Sequence, residues 1–173
     1  MEFKTLKLIS IFLTFILCFP FHFMYEIFPN TLFSIMFPVN ESIWEHMKML
    51  FSATLFTGII ECLLIKNNNK FSNLFITSLL SIPIFLALYL PLYKIFNENV
   101  FINISVLIFT IIITQIISYI ILKSSNKDNM MGINIIGIIL VYILFGILTY
   151  YPLQNEIFYD NYNNKYGINT YDN

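Results

Sequence analysis

Arginine is absent from these 173 residues, and charge of either sign is scarce: nine lysines stand against ten acids, for a net charge of -1. A chain without arginine and without a lysine surplus has no basic face to neutralise phosphates, so nucleic acid is excluded as the default partner. Five glycines and six prolines are too few for a low-complexity linker or a collagen-like repeat. The two cysteines, Cys18 and Cys62, each lie inside an apolar run at different expected depths. They read as small buried hydrophobes, too far apart for a disulfide. What is abundant is apolar surface, with 58 % of residues hydrophobic and 11 % charged, against roughly 45–50 % and about 25 % in an average soluble domain. A soluble globular chain is excluded.

A bilayer core of about 30 Å takes roughly 20 apolar residues in a helix, because backbone polar groups cannot stay unpaired in hydrocarbon. Five stretches qualify: Leu6 to Phe28, Trp44 to Ile65, Phe71 to Phe96, Val100 to Leu122 and Met131 to Tyr151. The fold class expected is therefore all-α, a polytopic membrane helix bundle of about five transmembrane helices. Residues 1–152 form the bundle, and residues 153–173 a Tyr- and Asn-rich extracytoplasmic tail. Lys4 and Lys7 before the first run resemble a signal peptide. No small-x-small site follows, however, and bulky Phe15, Ile16 and Leu17 precede Cys18, so the run reads as an uncleaved anchor.

Lysine bias across the short loops sets the expected orientation. Lys4, Lys7, Lys66, Lys70, Lys123 and Lys127 fall on one side, and Lys48, Lys94 and Lys165 on the other. Six against three puts the amino terminus in the cytoplasm and leaves the carboxyl tail, the 29–43 loop and the loop around Glu98 outside. The missing arginine beside abundant Ile, Asn, Lys and Tyr resembles the codon bias of an AT-rich bacterial genome, and the location expected is a bacterial cytoplasmic membrane.

Within the spans, Thr110, Thr114 and Ser118 repeat every four residues with Gln115 beside them. Such a stripe holds helices together through small side chains and hydrogen bonds. Pro83 and Pro91 are expected to kink the third span, while Gly132, Asn134, Gly137 and Gly146 allow close packing of the fifth. Glu61, near the end of the second span, is placed to reach the interface or to pair with a lysine.

One region gathers most of the unusual residues. His22, Tyr25 and Glu26 end the first span, and Asn40, Glu41, Ser42, Trp44, Glu45, His46 and Lys48 lead into the second. His22 and Glu26 are four apart, as are Glu41 and Glu45, with Lys48 three further on. Consecutive helices joined by a short loop pack as neighbours, which brings these ends together. Imidazole and carboxylate converging from two helices suit a divalent transition metal, zinc, iron or manganese, with His22, Glu41, Glu45 and His46 as ligands. Tyr25, Glu26, Asn40, Trp44 and Asp160 are the supporting residues. The alternative is structural: Ser42 and Glu45 form a capping box, Glu41 and Lys48 are interfacial charges, and Trp44 anchors in the aromatic belt. No His-Glu-x-x-His zinc motif is present.

Pro38-Val39-Asn40-Glu41-Ser42-Ile43-Trp44-Glu45-His46-Met47-Lys48 resembles the signature of an uncharacterised family of small bacterial integral membrane proteins, Pro-Val-Asn-Glu-Ser-x-Trp-Glu-His-x-Lys. The family's preceding His-Phe-x-Tyr element is matched by His22-Phe23-Met24-Tyr25. Its tail elements are matched by Tyr151-Pro152, Phe158-Tyr159-Asp160 and Tyr166-Gly167-Ile168. Further tail prolines of the family are replaced here by Leu153, Glu156 and Asn161. The resemblance implies a membrane bundle and brings no activity with it. The stretch from Asp160 to Asn164 also resembles a calcium loop, but Tyr162, Lys165 and Tyr171 occupy ligand, glycine and closing-glutamate positions, which excludes calcium there.

Three functions stay open. The first is a metal-dependent enzyme acting on a lipid or isoprenoid substrate at the outer rim, with Glu41 or Glu45 activating water and His22 or His46 as ligand or acid. The second is a small-solute permease or substrate-binding subunit, which would need polar groups at the midplane and internal repeats. The third is an accessory or immunity-type membrane protein without catalysis.

Overall fold

The computed structural model describes residues 2–97, 99–124 and 131–168. Lys127, Glu98 and Tyr171, used in the sequence reading, lie outside them. The order is α1 (Phe3–Ile27), α2 (Thr31–Met36), α3 (Ile43–Leu64), α4 (Lys70–Phe96), α5 (Val100–Lys123) and α6 (Met131–Tyr150), then β1 (Tyr159–Asp160) and β2 (Lys165–Tyr166). All but α2 are long and apolar enough to cross a membrane, so the chain is a multi-pass, all-α membrane protein. Span limits from hydropathy agree with these helices to within a few residues. Two small elements were not expected. A single turn and a half, α2, interrupts the connection after α1, started by Asn30 Oδ1 accepting the Phe33 amide at 3.1 Å. The tail folds into an antiparallel hairpin pairing Tyr159 with Tyr166 and Asp160 with Lys165.

Helices α1, α3, α4 and α5 form a closed cycle of contacts, α1 on α3, α3 on α4, α4 on α5 and α5 on α1. Helix α6 lies outside this ring, against α4 and α2. Helix α3 is the axis of the molecule, with 14 of its 22 residues buried. It is packed on most sides up to Gly58, with Ile59, Ile60, Leu63 and Leu64 exposed beyond, and its sequence shows no one-sided apolar stripe. Close approach to it rests on Gly58, where a Cβ would meet Leu74 Cδ1 at 2.6 Å. Of the glycines assigned to close packing in the last span, a Cβ at Gly137 would meet the Phe75 ring at 2.5 Å and one at Gly146 would meet Ile35 at 3.3 Å, whereas one at Gly132 would meet nothing within 4 Å. Asn134 donates to Ser72 Oγ at 2.9 Å, tying α6 to α4.

At the amino-terminal end, the ring is plugged by buried polar groups. Lys7 Nζ lies 2.5 Å from Glu61 Oε1 and 2.5 Å from Ser118 Oγ. Ser10 donates to the same carboxylate, and Ser118 donates to Asn73 Oδ1 at 2.7 Å. Glu61 thus pairs with a lysine, but with Lys7 of the adjacent helix α1 rather than with its sequence neighbour Lys66, which is exposed. The stripe on α5 is buried along its length and, among the described residues, makes its hydrogen bonds to other helices at Ser118. Thr110 and Thr114 donate instead to carbonyls of their own helix, at 2.8 and 2.9 Å. Cys18 and Cys62 are free thiols.

Candidate functional site

At the opposite end of the ring, three elements each contribute one side chain. His22 comes from the last two turns of α1, Glu41 from the connection before α3, and His46 from the first turn of α3. The helix starts at Ile43 because Ser42 Oγ accepts the Glu45 amide at 3.4 Å, which leaves Glu41 outside it and free to turn back over the two rings. The Glu41 carboxylate bridges them: Oε1 is 3.3 Å from His22 Nε2, and Oε2 is 3.5 Å from His46 Nε2. The ring centroids are 5.3 Å apart. His46 Nδ1 sits 2.9 Å from the Ser42 carbonyl, an acceptor only, which assigns the hydrogen to Nδ1. In the neutral ring the lone pair is then on Nε2, facing the carboxylate. Two electron-rich groups in that relation call for a proton or a cation between them.

One ligand atom from each of His22, Glu41 and His46 lies within 4.8 Å of the other two. Ligand atoms around a tetrahedral ion stand about 3.4 Å apart, so closing on an ion takes about an ångström of side-chain movement. The His22 imidazole, more than any other neighbour, holds Glu41 below the usual carboxylate range against the opposing effect of burial.

Glu45 is not in this group. With Glu41 outside the helix, the four-residue spacing between them no longer puts them on one face. Glu45 turns inward, with Oε2 2.5 Å from Lys48 Nζ, and both side chains are fully buried. Val39 donates its amide to Glu45 at 3.0 Å, Thr149 its hydroxyl at 3.2 Å, and Lys48 donates to the Ser34 carbonyl at 2.7 Å. This pair fastens α3 to α2 and α6. Ser42 supplies its half of a capping box, while the Glu45 side chain is engaged elsewhere. Glu26 is exposed, and Tyr25 packs among core side chains.

Asn40, Trp44 and Asp160 act through the tail. Asn40 Nδ2 donates to the Gly167 carbonyl at 3.0 Å, and the Glu41 amide donates to Asp160 Oδ2 at 3.1 Å. Trp44 stacks on Phe158 at 4.9 Å, and its amide donates to the Ile157 carbonyl at 2.9 Å. It is a docking platform for the tail. Asp160 is buried and also accepts the amides of Tyr162 and Asn163 and the Asn163 side chain. Burial raises its pKa, but these donors outweigh that and hold it below the usual range. Gly167 seats the tail at φ +54°, where a Cβ would meet the Thr149 carbonyl at 2.3 Å.

The His22, Glu41 and His46 group borders a cavity of about 590 Å³ inside this end of the ring. Its walls run along α1 from Phe15 to His22, about 10 Å of helix, with Phe85 and Leu107 opposite and Tyr159 and Tyr162 of the hairpin above. Hydropathy reading missed the cavity because each of its walls is ordinary membrane sequence. Only the aromatic and histidine spacing on α1 hints at it.

No curated protein and no solved structure matches the chain. The match is to a family model: residues 1–168 fit the family of unknown function DUF6512, and the chain belongs to that family.

Proposed function

We propose that the chain is a metal-dependent membrane enzyme acting on a lipid-like substrate, with zinc, iron or manganese held by His22, Glu41 and His46. One observation carries this reading: an imidazole–carboxylate–imidazole group borders a large, mainly apolar cavity. Three protein ligands and an open position are the arrangement of catalytic rather than structural metal sites. A bound ion would supply Lewis acidity and an activated water. Phe19, Phe23, Val100 and Ile104 line the cavity and are exposed on α1 and α5, which gives an apolar molecule a way in from the bilayer. A permease is disfavoured by the charged plug of Lys7 and Glu61 at the other end of the ring. The orientation proposed has the amino terminus in the cytoplasm of a bacterial cell. Lys7 and Lys48 are both buried in ion pairs, and omitting one from each side turns six against three into five against two, so the bias persists.

Metal analysis of detergent-purified protein tests the reading. Near one equivalent of a transition ion, lost in His22→Ala and His46→Ala, is the expected result. Metal-free protein whose thermal stability ignores both added ions and chelator would leave Glu41 as a bridge between two imidazoles in an accessory protein.

A further inference from the structure

We propose that Asn40 is a positioning residue of the candidate site: it sets the direction of Glu41 and, through the Ser42 carbonyl, the tautomer of His46, and it makes both depend on the docked tail. The inference rests on reading His22, Glu41 and His46 as a metal site and names what holds two of the three ligands ready.

The first observation is the double engagement of one buried side chain. Asn40 Oδ1 accepts the Ser42 amide at 2.8 Å, and Asn40 Nδ2 donates to the Gly167 carbonyl at 3.0 Å. The first bond reaches two residues on and closes a tight turn with Glu41 at its tip. The second reaches the tail, 127 residues away. Only an amide serves both ends, because an ionised carboxylate has no hydrogen to give and an aliphatic chain offers neither group. The amide of Glu41 itself is held by Asp160. Both backbone N–H groups that flank the Glu41 side chain are therefore fixed by side chains that belong to the tail or are tied to it.

The second observation is the use Ser42 makes of its carbonyl. That oxygen accepts the His46 backbone amide at 3.2 Å and lies 2.9 Å from His46 Nδ1. The partner of one imidazole nitrogen decides which nitrogen carries the hydrogen, and a ligating histidine characteristically donates its second N–H to a carbonyl or a carboxylate. With the hydrogen on Nδ1, the lone pair is on Nε2, the atom 3.5 Å from Glu41. The turn therefore presents both ligands in a ready state. Holding the ligands and holding the tail are one event, and an ion that binds the first must stabilise the second by the same factor.

The test uses untagged full-length protein in detergent, in which His22→Ala leaves His46 as the single imidazole. Nitrogen-15 NMR at mildly alkaline pH, without metal, is expected to show the Nδ1–H tautomer. Asn40→Leu added to this background should turn it into a mixture, whereas Asn40→Asp keeps the acceptor for Ser42 and should keep the tautomer. Both substitutions lose the bond to Gly167 and should speed tryptic cleavage after Lys165. With His22 restored, Asn40→Leu is expected to weaken zinc binding roughly 10- to 100-fold, the range for losing an outer-shell partner. Zinc should slow cleavage after Lys165 in the wild type. An Nδ1–H tautomer unchanged in Asn40→Leu overturns the inference, and that comparison involves no metal. Zinc that binds the wild type without slowing cleavage overturns it as well, and this needs no variant to fold. Wild-type protein that takes up no zinc, iron or manganese defeats the metal reading alone, and the tautomer comparison still decides the role of Asn40.

Discussion

The backbone amide of Glu41 is held at 3.1 Å by the carboxylate of Asp160, 119 residues further along the chain. The residue that bridges the two histidines is therefore positioned by the tail, and the tail is in turn folded around the same carboxylate. Asp160→Ala removes one anchor for Glu41 and three bonds within the hairpin turn. A loss of roughly 1–3 kcal/mol is expected for stranding such donors, read as a lower thermal midpoint in detergent.

The same carboxylate gives a pH dependence of definite sign. Its folded pKa lies below the ordinary 3.8, so it stabilises the fold fully above that value and ceases to do so as pH falls through the depressed one. The stability difference between wild type and Asp160→Asn should be flat above about 3.8 and shrink on further acidification. A difference that grows with acid contradicts the assignment.

At the amino-terminal plug, removing one partner of a buried pair costs more than removing both. Lys7→Met is expected to destabilise by roughly 3–5 kcal/mol, while Lys7→Met with Glu61→Leu regains most of it, because no charge is then left unpaired. Thermal or denaturant unfolding of the two single variants and the double variant reads this directly.

Gly167→Ala forces a side chain into a left-handed backbone position and against the Thr149 carbonyl. The backbone strain alone is about 1–2 kcal/mol. Lifting of the hairpin should follow, seen as faster tryptic cleavage after Lys165. Unchanged cleavage would mean that the tail is held without Gly167.

Reporter fusions at Asn68 and at the carboxyl end check the orientation. Cytoplasmic signal at Asn68 and extracytoplasmic signal at the end are expected. The reverse pattern would place the cavity at the inner leaflet.

The spans were legible because hydropathy over twenty residues is a local property. Helix α2 and the hairpin were not, since six residues and two-residue strands are too short for any period to declare itself. At the site, His22, Glu41 and His46 could be named from clustering alone, while the fate of Glu45 hinged on where α3 begins. Ser42, three residues before Glu45, carried that signal: a cap there puts Glu41 outside the helix and separates the two acids. Lys7 read as a flanking charge because its partner is 54 residues away, and nothing in a single sequence reports such a distance.

Helix α3 carries a charge pair near each end, Glu45 with Lys48 and Glu61 with Lys7, separated by about 24 Å of helix. The first engages α2 and α6, and the second engages α1, α4 and α5. Sliding α3 along its axis by a turn, about 5.4 Å, takes Lys48 away from its α2 and α6 partners and parts Glu61 from Lys7, while Glu45 and Lys48 travel together. Piston motion is therefore denied to the central helix. Access to the cavity is left to changes in tilt of α1 and α5 beside it, since the hairpin is held at Asn40, Glu41 and Trp44 as well as at Gly167.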